Sequence, residues 1–202
     1  MRMLTISDVV RAESDFFLSE GDEQKRRDSF APLGSTFTVR QVLDLPGVSD
    51  ADKVWFATRP GWLSDRVLRL SAVDSARREM TASRQSGNEP STRSWDACCI
   101  AERHAYGRAT RKALVTAWVA AWSRSEMPEP LDPFAKGAAH AVDTDAARAA
   151  VSASWAAWMA AGKAATSDSL TVAALRTLID KHEALPVGQP SPDVGGGALT
   201  NR

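Results

Sequence analysis

Apolar residues recur along this chain at intervals of three and four, with polar positions between them. That is the period of an amphipathic helix. Ile6, Val9, Val10, Phe16 and Phe17 fall on one helical face, which predicts a helix over residues 5–18. A charged connector, SEGDEQKRRDS, follows. Thr38 with Gln41 forms a capping-box signal for the short segment TVRQVLDL, which Pro46 closes. Ser49 with Asp52 repeats that signal for residues 50–58. Pro60-Gly61 breaks the chain, and Ser64 is placed to cap a helix over 65–80. After the polar loop ASRQSGNEPSTR come helices over 94–106, closed by Gly107, and over 109–124. A Pro-rich connection, EMPEPLDPF, leads to a long Ala-rich helix over 143–165 and a last one over 169–185. From Pro186 the chain is rich in Pro and Gly with almost nothing to bury, so disorder is expected there. No segment sustains period-two alternation, so no sheet is expected. The pattern predicts an all-α fold: stacked helical hairpins in an irregular bundle of about six or seven helices. Residues 1–185 are expected to form the helical domain and 186–202 a disordered tail.

The helix faces add detail. In 109–124, Ala113, Leu114, Val115, Ala117, Trp118, Val119, Ala121 and Trp122 cover well over half the circumference. A helix of that kind is expected to be buried on two sides. In 143–165, Val151, Trp155, Trp158 and Met159 form one stripe on an alanine background, and alanine permits close helix approach. The indole pairs 118/122 and 155/158 read as core, although a partner-binding surface has the same spacing.

Composition narrows the function. Lys plus Arg equals Asp plus Glu, 25 each, and the pI is about 6.8. The overall charge attracts neither nucleic acid nor an anionic membrane. The two cysteines are neighbours, Cys98 and Cys99, and cannot staple a fold, which points to a reducing compartment. The segment MRMLTISDVVRAESDFF lacks the apolar core of a signal peptide, and no run approaches a membrane span. A cytoplasmic protein is expected.

Candidate chemistry is sparse. On 94–106, Trp95, Cys98, Cys99, Ala101, Ala105 and Tyr106 form the apolar arc, and Glu102 lies inside it. A carboxylate taken out of water needs a partner or a raised pKa. Residues 65–80 offer Arg66, Arg69, Arg77 and Arg78. The pair expected is Glu102 with Arg69, with Asp65 holding Arg69 from one turn away. This reads as a structural ion pair; a catalytic acid is the competing reading. His104, His140 and His182 are far apart and show no metal-ligand spacing, so no metal and no cofactor are expected. Cys98 and Cys99 lack the basic surroundings of a nucleophilic thiolate. Residues 38–58 have the outline of a helix-turn-helix. However, the first turn of the second helix carries Asp50 and Asp52 with only Lys53 to offset them, and phosphate neutralisation dominates DNA affinity. Nucleic acid is therefore disfavoured as a partner.

The stretch DKVWFATRPGWLSDRVLRLSAVDSARREM, followed by STRSWDACCIAERHAYGRATRKALVTAWVAAW, resembles a family of small Ala-rich helical proteins of bacteria and bacteriophages: immunity proteins of toxin–immunity systems. In that family a DxxLRLxAxxxAxR helix precedes a RxRxAxxxAxxYAxG helix. Asp65, Leu68, Arg69, Leu70, Ala72, Ala76 and the basic Arg77 match the first. Ala97, Ala101, Glu102, Ala105 and Gly107 match part of the second. HAYG stands in place of YAxG, and the intervening loop is longer and more polar. The resemblance implies a non-enzymatic domain that binds and blocks another protein, such as a toxin. Its matched residues are mostly helix-packing ones, so it assigns no partner-binding residue. The alternative is a DNA-binding regulator using residues 38–58, and an enzyme resting on Glu102 comes third.

Overall fold

The computed structural model describes residues 2–8, 28, 30–125, 145–146, 148–150, 152–153 and 165–183. These are mainly helical. Leu4–Thr5 (β1) comes first, then a 3-10 turn at Ala31–Leu33 and Thr36–Phe37 (β2). The α-helices are Val39–Asp44 (α1), Asp50–Ala57 (α2), Asp65–Gln85 (α3), Thr92–Ala105 (α4), Arg111–Ser125 (α5) and Ala165–His182 (α6). The all-α expectation holds. β1 and β2 pair antiparallel, Leu4 opposite Phe37, a ladder too short to show alternation in the sequence. The expected helix over 5–18 begins with helical residues 6–8, and a reciprocal Thr5–Asp8 pair caps it. Its residues 9–18 lie outside the described residues, as do most of the expected helix over 143–165 and the tail from Pro186.

Local signals set the starts. Thr38 Oγ1 accepts from the Gln41 amide, and Gln41 Oε1 accepts from the Thr38 amide, which makes a full capping box. Ser49, Ser64 and Ser91 cap α2, α3 and α4 in turn. Glycines set two of the stops. Gly87 and Gly107 adopt φ +86° and +69°, the left-handed conformation that costs glycine little. The Asn88 amide reaches the Ser83 carbonyl and the Arg108 amide the Arg103 carbonyl, at 3.0 and 2.7 Å. Both are Schellman closures. α3 therefore runs five residues beyond its expected end at 80. The apolar period fades after Met80, but no helix breaker comes before Gly87.

α3, α4 and α5 form consecutive antiparallel hairpins, and α6 packs on α1, α2 and α3. Two apolar clusters result. The first gathers Leu4, Phe30, Phe37, Phe56 and Trp62 with Val67, Leu68, Leu175 and Ile179. Its rings interlock, with Phe56 centred 5.3 Å from Phe30 and 4.1 Å from Trp62. The second gathers Ala72, Val73, Ala76 and Met80 with Ala97, Cys98, Leu114, Ala121, Ala149 and Ala153. It is built largely of alanine, which permits close helix approach. α3 supplies residues to both.

One expectation about the faces is corrected. α5 buries Leu114 and Ala121, but Val115 and Val119 are 42% and 48% exposed. The helix is covered on one side rather than two. Trp118 is half-buried against the second cluster, in keeping with a core role.

Candidate functional site

The α3–α4 hairpin holds the acid singled out in the sequence. Its partner is not the expected one. Glu102 Oε2 lies 2.6 Å from Arg77 Nη2, and the two side chains are 39% and 35% exposed. Helix geometry explains the choice. At 100° per residue, Arg66, Arg77 and Arg84 lie within roughly 20° of one another around α3, whereas Arg69 is turned roughly 80° away from Arg77. The Arg66–Arg77–Arg84 face is the one that meets α4. Arg66 Nε donates to the Ala105 carbonyl, and the Arg84 guanidinium stacks 4.7 Å from the Trp95 ring centre. Arg69 is instead 3% exposed within the bundle, and Asp65 lies exposed in the first turn of α3. The pair is thus structural in form but belongs to the surface of the hairpin.

The buried acid is elsewhere. Glu79, in α3, is 8% exposed, and neither carboxylate oxygen has a hydrogen-bond partner. Burial raises its pKa to about 8, and the neighbouring Arg78 charge opposes the shift only in part. The carboxyl is therefore largely protonated near neutral pH. The sequence did contain the signal. Glu79 is seven residues after Ala72 and three after Ala76, which places it on the buried stripe. An expected helix end at 80 put it in the last, fraying turn and hid that relation.

The thiols and imidazoles offer little chemistry. Cys98 and Cys99 are both free. Cys98 is buried, and burial raises its thiol to about 12, leaving no thiolate for attack. His104 Nδ1 lies 2.9 Å from the Ala109 carbonyl and so helps hold the α4–α5 turn. Among the described residues, no three of His, Cys, Asp and Glu cluster as metal ligands. His140 lies outside the described residues.

α1 and α2 do have the helix-turn-helix outline. α2, however, lays one side on α6, where Ser169 Oγ donates to Asp50 Oδ2 at 2.5 Å. Lys53 is only 8% exposed, and its Nζ is 3.5 Å from Asp50. The outward positions are Ala51 and Asp52, with Arg59 stacked 4.0 Å from the Trp55 ring centre.

A group of cations lies where α4 turns into α5. Gly107 reverses the chain and sets Arg108 beside Tyr106. The Arg108 and Arg66 guanidiniums lie 5.7 and 6.0 Å from the Tyr106 ring centre. His182 meets the same ring edge-on at 5.9 Å. Burial holds the His182 imidazole below its ordinary pKa, with Lys181 and Arg66 adding to the effect. Next along the chain, Arg111 and Lys112 are exposed in the first turn of α5, which carries no acid. From Arg103 through Ser125 the sequence contains no Asp or Glu at all. One turn further, Val115 faces outward, and Val119 follows it. The arrangement is a basic, aromatic end continuing into an exposed apolar strip. Such a surface can bind a partner; it has no paired nucleophile and base.

Among the described residues, no helix is long and apolar enough to cross a membrane. The chain matches no known family model, no curated protein and no solved structure.

Proposed function

We propose that this chain is a non-enzymatic, protein-binding helical domain of the immunity type, one that holds and blocks a bacterial or phage partner such as a toxin. The observation supporting this most directly is the outer face of α5, where Val115 and Val119 stand exposed one turn apart. Exposed apolar residues beside charged ones suit the desolvated centre and polar rim of a protein contact. Cys98 adds weight to a non-enzymatic role, since it is buried as the thiol. The free thiols fit a reducing, cytoplasmic setting.

The test is co-expression with the product of any flanking gene that proves toxic when expressed alone. Growth rescue and a stable stoichiometric complex on size-exclusion chromatography are expected. Unrelieved killing, with both proteins eluting separately, overturns the reading.

The second reading is a helix-turn-helix regulator. It is favoured by the α1–turn–α2 outline with both helices N-capped. The inward Lys53 and the acidic outer side of α2 weigh against it, because groove binding draws its affinity from exposed cations.

A further inference from the structure

We infer that the arginine-flanked Tyr106 and the outer face of α5 form one continuous docking surface for a protein whose contact patch is apolar at its centre and acidic at one end. This rests on the protein-binding reading and adds to it the place and the chemistry of the contact. Position is the first argument. Arg111, Val115 and Val119 follow at intervals of four along α5, so the first-turn cation and the apolar strip share one helix face, and the turn residue Arg108 leads into it. All four are exposed.

Charge is the second argument. The segment from Arg103 to Ser125 offers cations with no acid of its own to neutralise them. The Glu183 carboxylate, which accepts from the Ser64 amide at 2.7 Å, offsets the cations Arg66, Arg108, Arg111 and Lys112 only in part. The positive end of the α5 dipole adds to the same field. A partner presenting carboxylates there gains complementarity and a faster encounter.

The third argument selects a protein over a nucleic acid. Phosphate backbones call for an extended run of cations. Here the cations give way after one turn to valine, which has no use against phosphate but suits the desolvated centre of a protein contact. Tyr106, with two guanidiniums within 6.0 Å of its ring centre, is an amphipathic anchor of the kind enriched at such contacts.

Two fluorescent probes test this by anisotropy across a salt series: a short amphipathic peptide with leucines on one face and glutamates at one end, and a DNA duplex of similar charge. The full chain is compared with Arg108→Glu/Arg111→Glu and with Val115→Asp. All three positions are exposed, and circular dichroism checks that each variant is folded. The wild type is expected to bind the peptide, more weakly as salt rises, and to prefer it to the duplex. Charge reversal should weaken peptide binding about tenfold or more, and Val115→Asp several-fold. Duplex binding as tight as peptide binding, lost on charge reversal, overturns the inference in favour of a nucleic-acid surface. Absence of peptide binding at low salt, or binding untouched by both variants, overturns it outright. The same variants in the co-expression assay separate this inference from the broader reading. Rescue that survives all of them removes the surface but leaves the immunity-type function standing.

Discussion

Arg77 and Glu102 join α3 to α4 through a 2.6 Å contact between Nη2 and Oε2 that stays open to water on both sides. Solvent screening sets its value. Exposed pairs contribute about 0–1 kcal/mol, not the several kcal/mol of a buried pair. Glu102→Ala should therefore lower stability by about 1 kcal/mol at most in urea unfolding. Arg69→Ala, at a position 3% exposed, should cost about 2 kcal/mol or more through lost packing of its stem. The reverse ranking would show that the pair lies deeper than its exposure indicates.

Glu79 predicts an unusual pH dependence. Folding raises its carboxyl from 4.5 to about 8, so the folded state keeps a proton that the unfolded chain releases. Its favourable contribution is complete below about pH 4.5, declines as pH rises, and is gone above about pH 8. The full loss is on the order of 5 kcal/mol. Glu79→Gln removes the titration. The difference in unfolding free energy between wild type and this variant should shift steadily against the wild type from pH 5 to pH 8. A constant difference would show that Glu79 is solvated or paired.

The capping box of α1 is a local device with a local cost. Thr38→Ala removes the acceptor for the Gln41 amide and should lower stability by about 1 kcal/mol. Thr38→Ser keeps that oxygen and should cost much less. Equal losses from the two substitutions would assign the effect to the threonine methyl group.

Phe56 and Val115 make a contrasting pair. Phe56, 1% exposed among three other rings, should cost about 3–5 kcal/mol when changed to Ala. Val115→Ser, on the exposed strip, should stay within about 0.5 kcal/mol of wild type. Thermal unfolding of both variants checks the core and the proposed surface together.

The helix starts were legible because they are chemical. Thr38, Ser49 and Ser64 accept the orphan amides that their sequence positions announce. The fold class followed from periodicity. The partner of Glu102 was not legible, because it depends on which side of α3 meets α4, a tertiary relation that no spacing within one helix encodes. Glu79 was legible in principle from its spacing to Ala72 and Ala76, but with the helix expected to end at 80 it sat in the last, fraying turn. The exposed side of α5 was misread for a related reason. Apolar residues around most of a helix report burial and binding surface alike, and only the neighbours tell them apart.

α3 passes through two cores of different make, interlocked rings around Val67 and Leu68 and close-set alanines around Ala72 to Met80. Large rings bury more apolar area per residue than alanines do, so the two ends of this one helix are held with unequal strength. The chain should therefore open in two stages, as separate cooperative units do. Amides of α3 beside the alanine cluster exchange with solvent through a lower-energy opening, while those beside the rings wait for global unfolding. A docking partner seated on α5 would then act as a clamp on the weaker half, slowing exchange at Ala76 and Met80, residues it never touches.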